Sequence, residues 1–115
     1  MDMISALEIN KEIATILKGL NYKHYPLVIP EDTQMPVIVY NRTVDYSDDN
    51  SDTTIGVATI ELEVLTGNYK DGIDILNKLY SSLLGKGYSP EGITEDFIDG
   101  VYIQKLVVSK YVLIN

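Results

Sequence analysis

Two hydrophobic periods follow one another in the middle of this chain, and each marks an element. From Ala58 to Gly85 the sequence runs ATIELEVLTGNYKDGIDILNKLYSSLLG. Ile60, Leu62 and Val64 alternate with Thr59, Glu61 and Glu63. A period of two is that of a strand with one face buried and one wet. After Thr66-Gly67-Asn68 the period lengthens, and Ile73, Leu76, Leu79, Tyr80, Leu83 and Leu84 recur every three or four residues. That spacing predicts a helix whose apolar stripe lies on the Ile60/Leu62/Val64 face. Asn68 stands where an N-cap is needed, and Asp71 where the helix end favours negative charge.

The flanking segments follow the same logic. Ser5 to Gly19 reads as a first helix, with Ile9, Ile13, Ile16, Leu17 and Leu20 as its buried stripe. Ser5 and Glu8 have the spacing of a capping box, Ile4 and Ile9 that of a hydrophobic staple, and Gly19 suits the left-handed C-terminal position. Pro26, Pro30 and Pro36 mark an extended connector from Asn21 to Pro36, with room for a short edge strand near Tyr25 to Pro30. Val37 to Thr43 is a β-branched strand. Ile55 and Val57 lie out of phase with Ile60, Leu62 and Val64, which predicts a β-bulge or bend beside Gly56. Ile93 to Ile98 and Val101 to Leu113 read as two strands joined at Asp99-Gly100, a pair suited to a type I′ turn.

The order is α-β-β-α-β-β. The expected fold is α+β, one domain over residues 1–115, with two helices packed on one face of a mainly antiparallel, four-stranded sheet. The hairpin between the first two strands carries an acidic tip over residues 45–53, too polar to bury anything.

The absence of cysteine excludes disulfides, thiolate metal sites and a cysteine nucleophile. The formal net charge of −8 argues against gripping duplex nucleic acid or an anionic membrane. Met-Asp-Met-Ile lacks the basic and apolar regions of a signal peptide, and no apolar run approaches the ~20 residues of a membrane span. The expectation is a soluble protein made in the cytoplasm.

Candidate chemistry fails on inspection. Asp48, Asn50 and Asp52 have the first three spacings of an EF-hand loop, but Thr53 and Thr59 replace the required Gly and Glu. Gly67 and Gly72 have P-loop spacing, but Ile73-Asp74 follows where Lys-Ser/Thr is needed. His24 is the only histidine and has no nearby nucleophile and acid. Glu61 and Glu63 share a wet strand face, which does not separate two carboxyl pKa values as acid–base work requires. No catalytic residue, metal site or cofactor is expected. Nine tyrosines, with no tryptophan and one phenylalanine, point instead to interfaces. Tyr40, Tyr46, Tyr69, Tyr88, Tyr102 and Tyr111 fall in strands or loops, where ordinary edge packing is the competing explanation.

A helix, a proline-marked extended segment, MPVIVYNR, a loop, TIELEVLTGNYKDGIDILNKLYSSL and a closing hairpin resemble the small tail-completion (tail-terminator) proteins of long-tailed phages and prophages. In that family a proline precedes an apolar strand ending in an aromatic and Arg or Gln, here Pro36 to Arg42. A short tyrosine-containing turn, here Thr66 to Tyr69, leads from strand to helix. The resemblance spans nearly the whole chain and consists of pattern and length. It implies a structural protein without catalytic residues, assembling as a homo-oligomeric ring, often a hexamer, on the head-proximal end of the tail tube. Its partners would be further copies of itself, the tail-tube protein and the head-connector proteins. It would form in the host cytoplasm and end in the virion tail. Tyr46, Asp48, Asp49 and Asp52 on the acidic tip, with Glu61 and Glu63 on the wet strand face, are the expected interface residues. The acidic surface would let DNA slide through the ring without sticking.

Overall fold

A computed structural model describes residues 3–46 and 55–114. A 3₁₀ turn (Ala6–Glu8) leads into α1 (Ile9–Gly19). Then come β1 (His24–Pro26), β2 (Val37–Tyr46), β3 (Ile55–Thr66), α2 (Tyr69–Gly85), β4 (Ser89–Ile98) and β5 (Val101–Leu113). The fold is α+β. The sheet has five strands rather than the expected four, in the order β1-β2-β3-β5-β4. The added strand is β1, which runs parallel to β2 and pairs His24 with Ile38. The sheet is therefore mixed, because the proline-marked connector folds back along β2 instead of merely skirting it.

β3, α2 and β4 form a split β-α-β unit, with β5 inserted between the two parallel strands. β3 alternates without a break from Ile55 to Thr66. The expected bulge beside Gly56 is absent, and both ladders pass Gly56 in register. Gly56 takes an inward position because a Cβ there would run into Ile114 and the Asp45 carbonyl. Ile55 and Val57 are apolar residues on the outward face, not signs of a slipped phase. The irregularity lies in β4 instead, between Pro90 and Gly92.

Both helices cover the inward face. Ile9, Ile13 and Leu17 of α1 join Leu76, Leu79 and Leu83 of α2 over Ile60, Leu62, Val64, Leu106 and Val108, all buried in a continuous cluster. The α2 stripe is rotated from the expected one. Ile75 and Gly72 are buried, Ile73 and Tyr80 are half-exposed and Leu84 is exposed, so Ile75 rather than Ile73 faces the sheet.

The helix ends show which residues perform the capping. Asn68 Oδ1 accepts from the Asp71 N–H at 3.2 Å, as expected. The Ser5–Glu8 capping box does not form: Ser5 Oγ accepts from the Leu7 N–H and caps the 3₁₀ turn. Asn21 (φ 64°), not Gly19, takes the left-handed position after α1. The Asn21 N–H then reaches the Lys18 carbonyl and the Tyr22 N–H the Leu17 carbonyl. Gly87 (φ 89°) does the same after α2, with the Gly87 N–H on Leu84 and the Tyr88 N–H on Leu83. Both helices thus end in a Schellman motif followed by a tyrosine, and each hands the chain to an edge strand.

Candidate protein interface

The expected interface residues separate once placed. Asp48, Asp49 and Asp52 lie outside the described residues. Tyr46 closes β2, opposite Gly56. Glu61 and Glu63 stand half-exposed on the outward face of β3, between Asn41 and Val39 of β2 and Val107 and Lys105 of β5. Glu61 and Lys105 approach to 3.7 Å at partly exposed positions. Such a pair contributes about 0–1 kcal/mol, so it orders the surface more than it stabilises the fold.

Both helices sit on the other side, and among the described residues no helix covers the outward face of the sheet. Its residues form two zones. One end is apolar: Ile55 and Val57 on β3 lie beside Leu113 and Tyr111 on β5, and Tyr111 is 63% exposed. Toward the other end a charged zone follows, with Glu61, Glu63 and Asp96 around Lys105, and beyond it Leu65 lies beside Ile103. Between the two zones, a groove of 610 Å³ opens beside Val57, Thr59, Val107 and Tyr111. On its rim Ser109 Oγ donates to Glu91 Oε2 at 2.6 Å. Among the described residues no group of three or more His, Asp or Glu side chains is placed to hold a metal ion.

The tyrosines divide between packing and exposure. Tyr40 and Tyr88 are buried, so of the two readings, interface or packing, packing holds for them: they belong to the core. Burial raises the Tyr40 phenol above its ordinary pKa. Burial, and after it the nearby Glu12 carboxylate, push Tyr88 far above the usual tyrosine range. Among the described residues its hydroxyl makes no hydrogen bond of good geometry, so Glu12 acts on it mainly through its charge. Lys110 sits 4.7 Å from the Tyr88 ring centre, bonds Glu12 at 2.9 Å and donates to the Lys86 carbonyl at 2.8 Å. This junction ties α1, the end of α2 and β5 together.

A second exposed feature was not foreseen. At the turn end of the β4–β5 hairpin, Phe97 packs on Tyr102 at 4.6 Å, and Tyr102 meets Tyr69 edge-on at 5.7 Å. Gln104, itself buried, donates from Nε2 to Glu95 Oε2 at 3.0 Å. That bond first, and then the Tyr69 hydroxyl, hold the Glu95 carboxyl below the usual carboxylate range. The signal in the sequence was the pairing of Phe97 with Tyr102 across the Asp99-Gly100 turn. The Tyr69 contact depends on the helix docking and was not legible.

Two residues singled out by sequence have structural work. His24 Nδ1 lies 2.8 Å from the Tyr22 carbonyl and so carries a proton toward it. Arg42 points inward, where Nη1 donates to the Ala6 carbonyl at 2.6 Å and ties β2 to the 3₁₀ turn. No helix among the described residues is long and apolar enough to cross a membrane. No protein-family model and no curated protein matches the chain.

Proposed function

We propose that this chain is a structural subunit of a long-tailed phage or prophage tail, a tail-completion protein that closes the tail tube as a homo-oligomeric ring. Six copies are the expected number, by the resemblance set out above. The ring forms in the host cytoplasm, sits at the head-proximal end of the tail and presents a surface to the head connector. It performs no catalysis and needs no cofactor.

The observation that supports this reading best is the uncovered sheet face. A domain with two helices on one side leaves an apolar surface, Ile55, Val57, Tyr111 and Leu113, that no described helix covers. Subunit association is a direct way to bury such a surface. A ring requires two different patches on each subunit that meet head to tail. The apolar zone of this face is one such patch, and its head-to-tail complement must itself be apolar, because a charged zone laid on it would lose its hydration. Glu61 and Glu63 then line the lumen or meet a neighbour, and in a lumen their charge repels DNA phosphates.

Light scattering of the purified chain, followed by negative-stain imaging with and without tail-tube protein, tests the reading. Rings that grow or cap tubes are expected. A monomer at every concentration, unchanged by tail-tube protein, overturns it. The groove beside Val57 and Tyr111 supports one alternative, a stand-alone ligand-binding domain, which predicts a thermal shift with a small polar ligand and no rings.

A further inference from the structure

The two edges of the sheet are built differently. β1 offers three residues and stops at Pro26, which has no N–H to donate. β4 is ten residues long and exposed throughout. Pro90 and the irregularity at Pro90/Gly92 blunt its first part. Ile93 to Ile98 has no proline, bulge or lysine, and its protection comes from the charges of Glu95 and Asp96 alone.

Backbone alternation fixes which groups point outward. The two-residue turn at Asp99 (φ 51°) and Gly100 (φ 81°) makes Ile98 and Val101 a hydrogen-bonded pair. Counting back in twos, Ile93, Glu95 and Phe97 turn their N–H and C=O groups away from β5. The Phe97 N–H accordingly bonds its neighbour's side chain, Asp96 Oδ1, at 2.8 Å rather than β5. The side chains of Ile93, Glu95 and Phe97 share the helix side, in register with Leu106, Gln104 and Tyr102. The edge therefore reads apolar, anionic, aromatic at alternate positions. Ile93 and Phe97 are 51% and 56% exposed.

The charge of this strand is all of one sign, from Glu91, Glu95 and Asp96. Two copies of β4 laid edge to edge would bring these carboxylates together, which disfavours self-pairing. The complement is a cationic strand.

We propose that the Ile93–Ile98 edge of β4 is a docking strand for an extended segment of another protein that carries Lys or Arg between two apolar residues at alternate positions. The cation meets Glu95, which Gln104 holds in place, and the apolar neighbours lie on Ile93 and Phe97. Main-chain bonds to the outward groups supply the affinity, and Glu95 sets the register. This inference does not rest on the tail reading, because a ring formed through the open sheet face leaves the β4 edge available.

The test uses the full chain and a fluorescent synthetic peptide of alternating threonine and valine with a central lysine. A second peptide has glutamate at the centre. Anisotropy should show salt-sensitive binding of the lysine peptide, tighter than the glutamate peptide by about fivefold or more. Hydrogen exchange should slow at Ile93, Glu95 and Phe97. Glu95→Lys should reverse the preference, so that the glutamate peptide binds better. Glu31→Lys makes the same charge change in the exposed loop before β2, away from β4, and should keep the preference for the lysine peptide; a reversal there as well overturns the proposal. Equal binding of the two peptides, or protection away from β4, overturns the proposal. So does concentration-dependent protection of β4 without peptide, which would make a second copy the occupant.

Discussion

β3 places one stretch of chain in two environments. On its helix side Ala58, Ile60, Leu62 and Val64 are fully buried. On its outer side Ile55, Val57, Glu61 and Glu63 remain half-exposed. Neighbouring residues point their Cβ atoms to opposite sides, so one set holds the fold together and the other is free to meet a partner. At Ile55 and Val57, unlike Glu61 and Glu63, hydrophobicity does not assign the face. Val57 and Val64 are the same residue type on opposite sides, and packing by α1 and α2 decides which is core. If this division is right, inward substitutions change stability and leave association alone, whereas outward ones do the reverse.

The largest effect expected from breaking the comparison is Leu62→Ala. Removing a fully buried side chain under α2 should cost about 2–5 kcal/mol, read as a fall in the urea midpoint. Glu61→Ala, one residue away, should stay within about 0.5 kcal/mol. Equal losses at the two sites would mean that the outer face is covered in the monomer.

Gly72→Ala probes how closely α2 approaches the sheet. An exposed helical Gly→Ala change usually gains up to about 1 kcal/mol. Here the new methyl would meet the Gln104 amide oxygen, which is buried and has no hydrogen-bond partner, with Thr66 Oγ1 at 3.1 Å behind it. Overpacking should reverse the sign, for a net loss of about 1 kcal/mol in thermal unfolding. A stabilised variant would show that α2 stands farther from β5 than described.

The smallest effect is one of pH. The Tyr88 phenol is raised in the folded state, so its contribution is fully present below the unfolded tyrosine pKa. As pH rises above about 10, the unfolded chain ionises Tyr88 while the folded chain keeps it protonated, and stability falls. Tyr88→Phe should flatten this alkaline loss in urea titrations followed across that range. An unchanged slope would place the phenol in water.

The fold was legible where local chemistry acts alone. Periodicity located both helices and the strands β2 to β5, Asn68 announced a cap and Asp99-Gly100 announced a turn. It failed where a distant segment decides. Gly56 looked like a break in phase because its reason, the approach of Ile114 and Asp45, comes from elsewhere in the chain. Gly19 looked like a left-handed cap, but it is the last helical residue, and the left-handed position falls two residues later at Asn21. For Tyr40 and Tyr88 interface and packing stayed open, because a tyrosine's sequence neighbours do not say which helix will cover it.

The same division holds for the candidate site. Glu61 and Glu63 were legible as an outward pair, because alternation with Ile60, Leu62 and Val64 leaves them no other direction. The sequence by itself determined the α+β class, the amphipathic faces and the acidic charge, since each follows from residue type and near-neighbour spacing. Only the tertiary structure decided that the short edge strand for which the connector had room pairs parallel with β2, and with it the apolar part of the open face and the unlike sheet edges. Those depend on which backbone groups and faces remain after distant segments have paired.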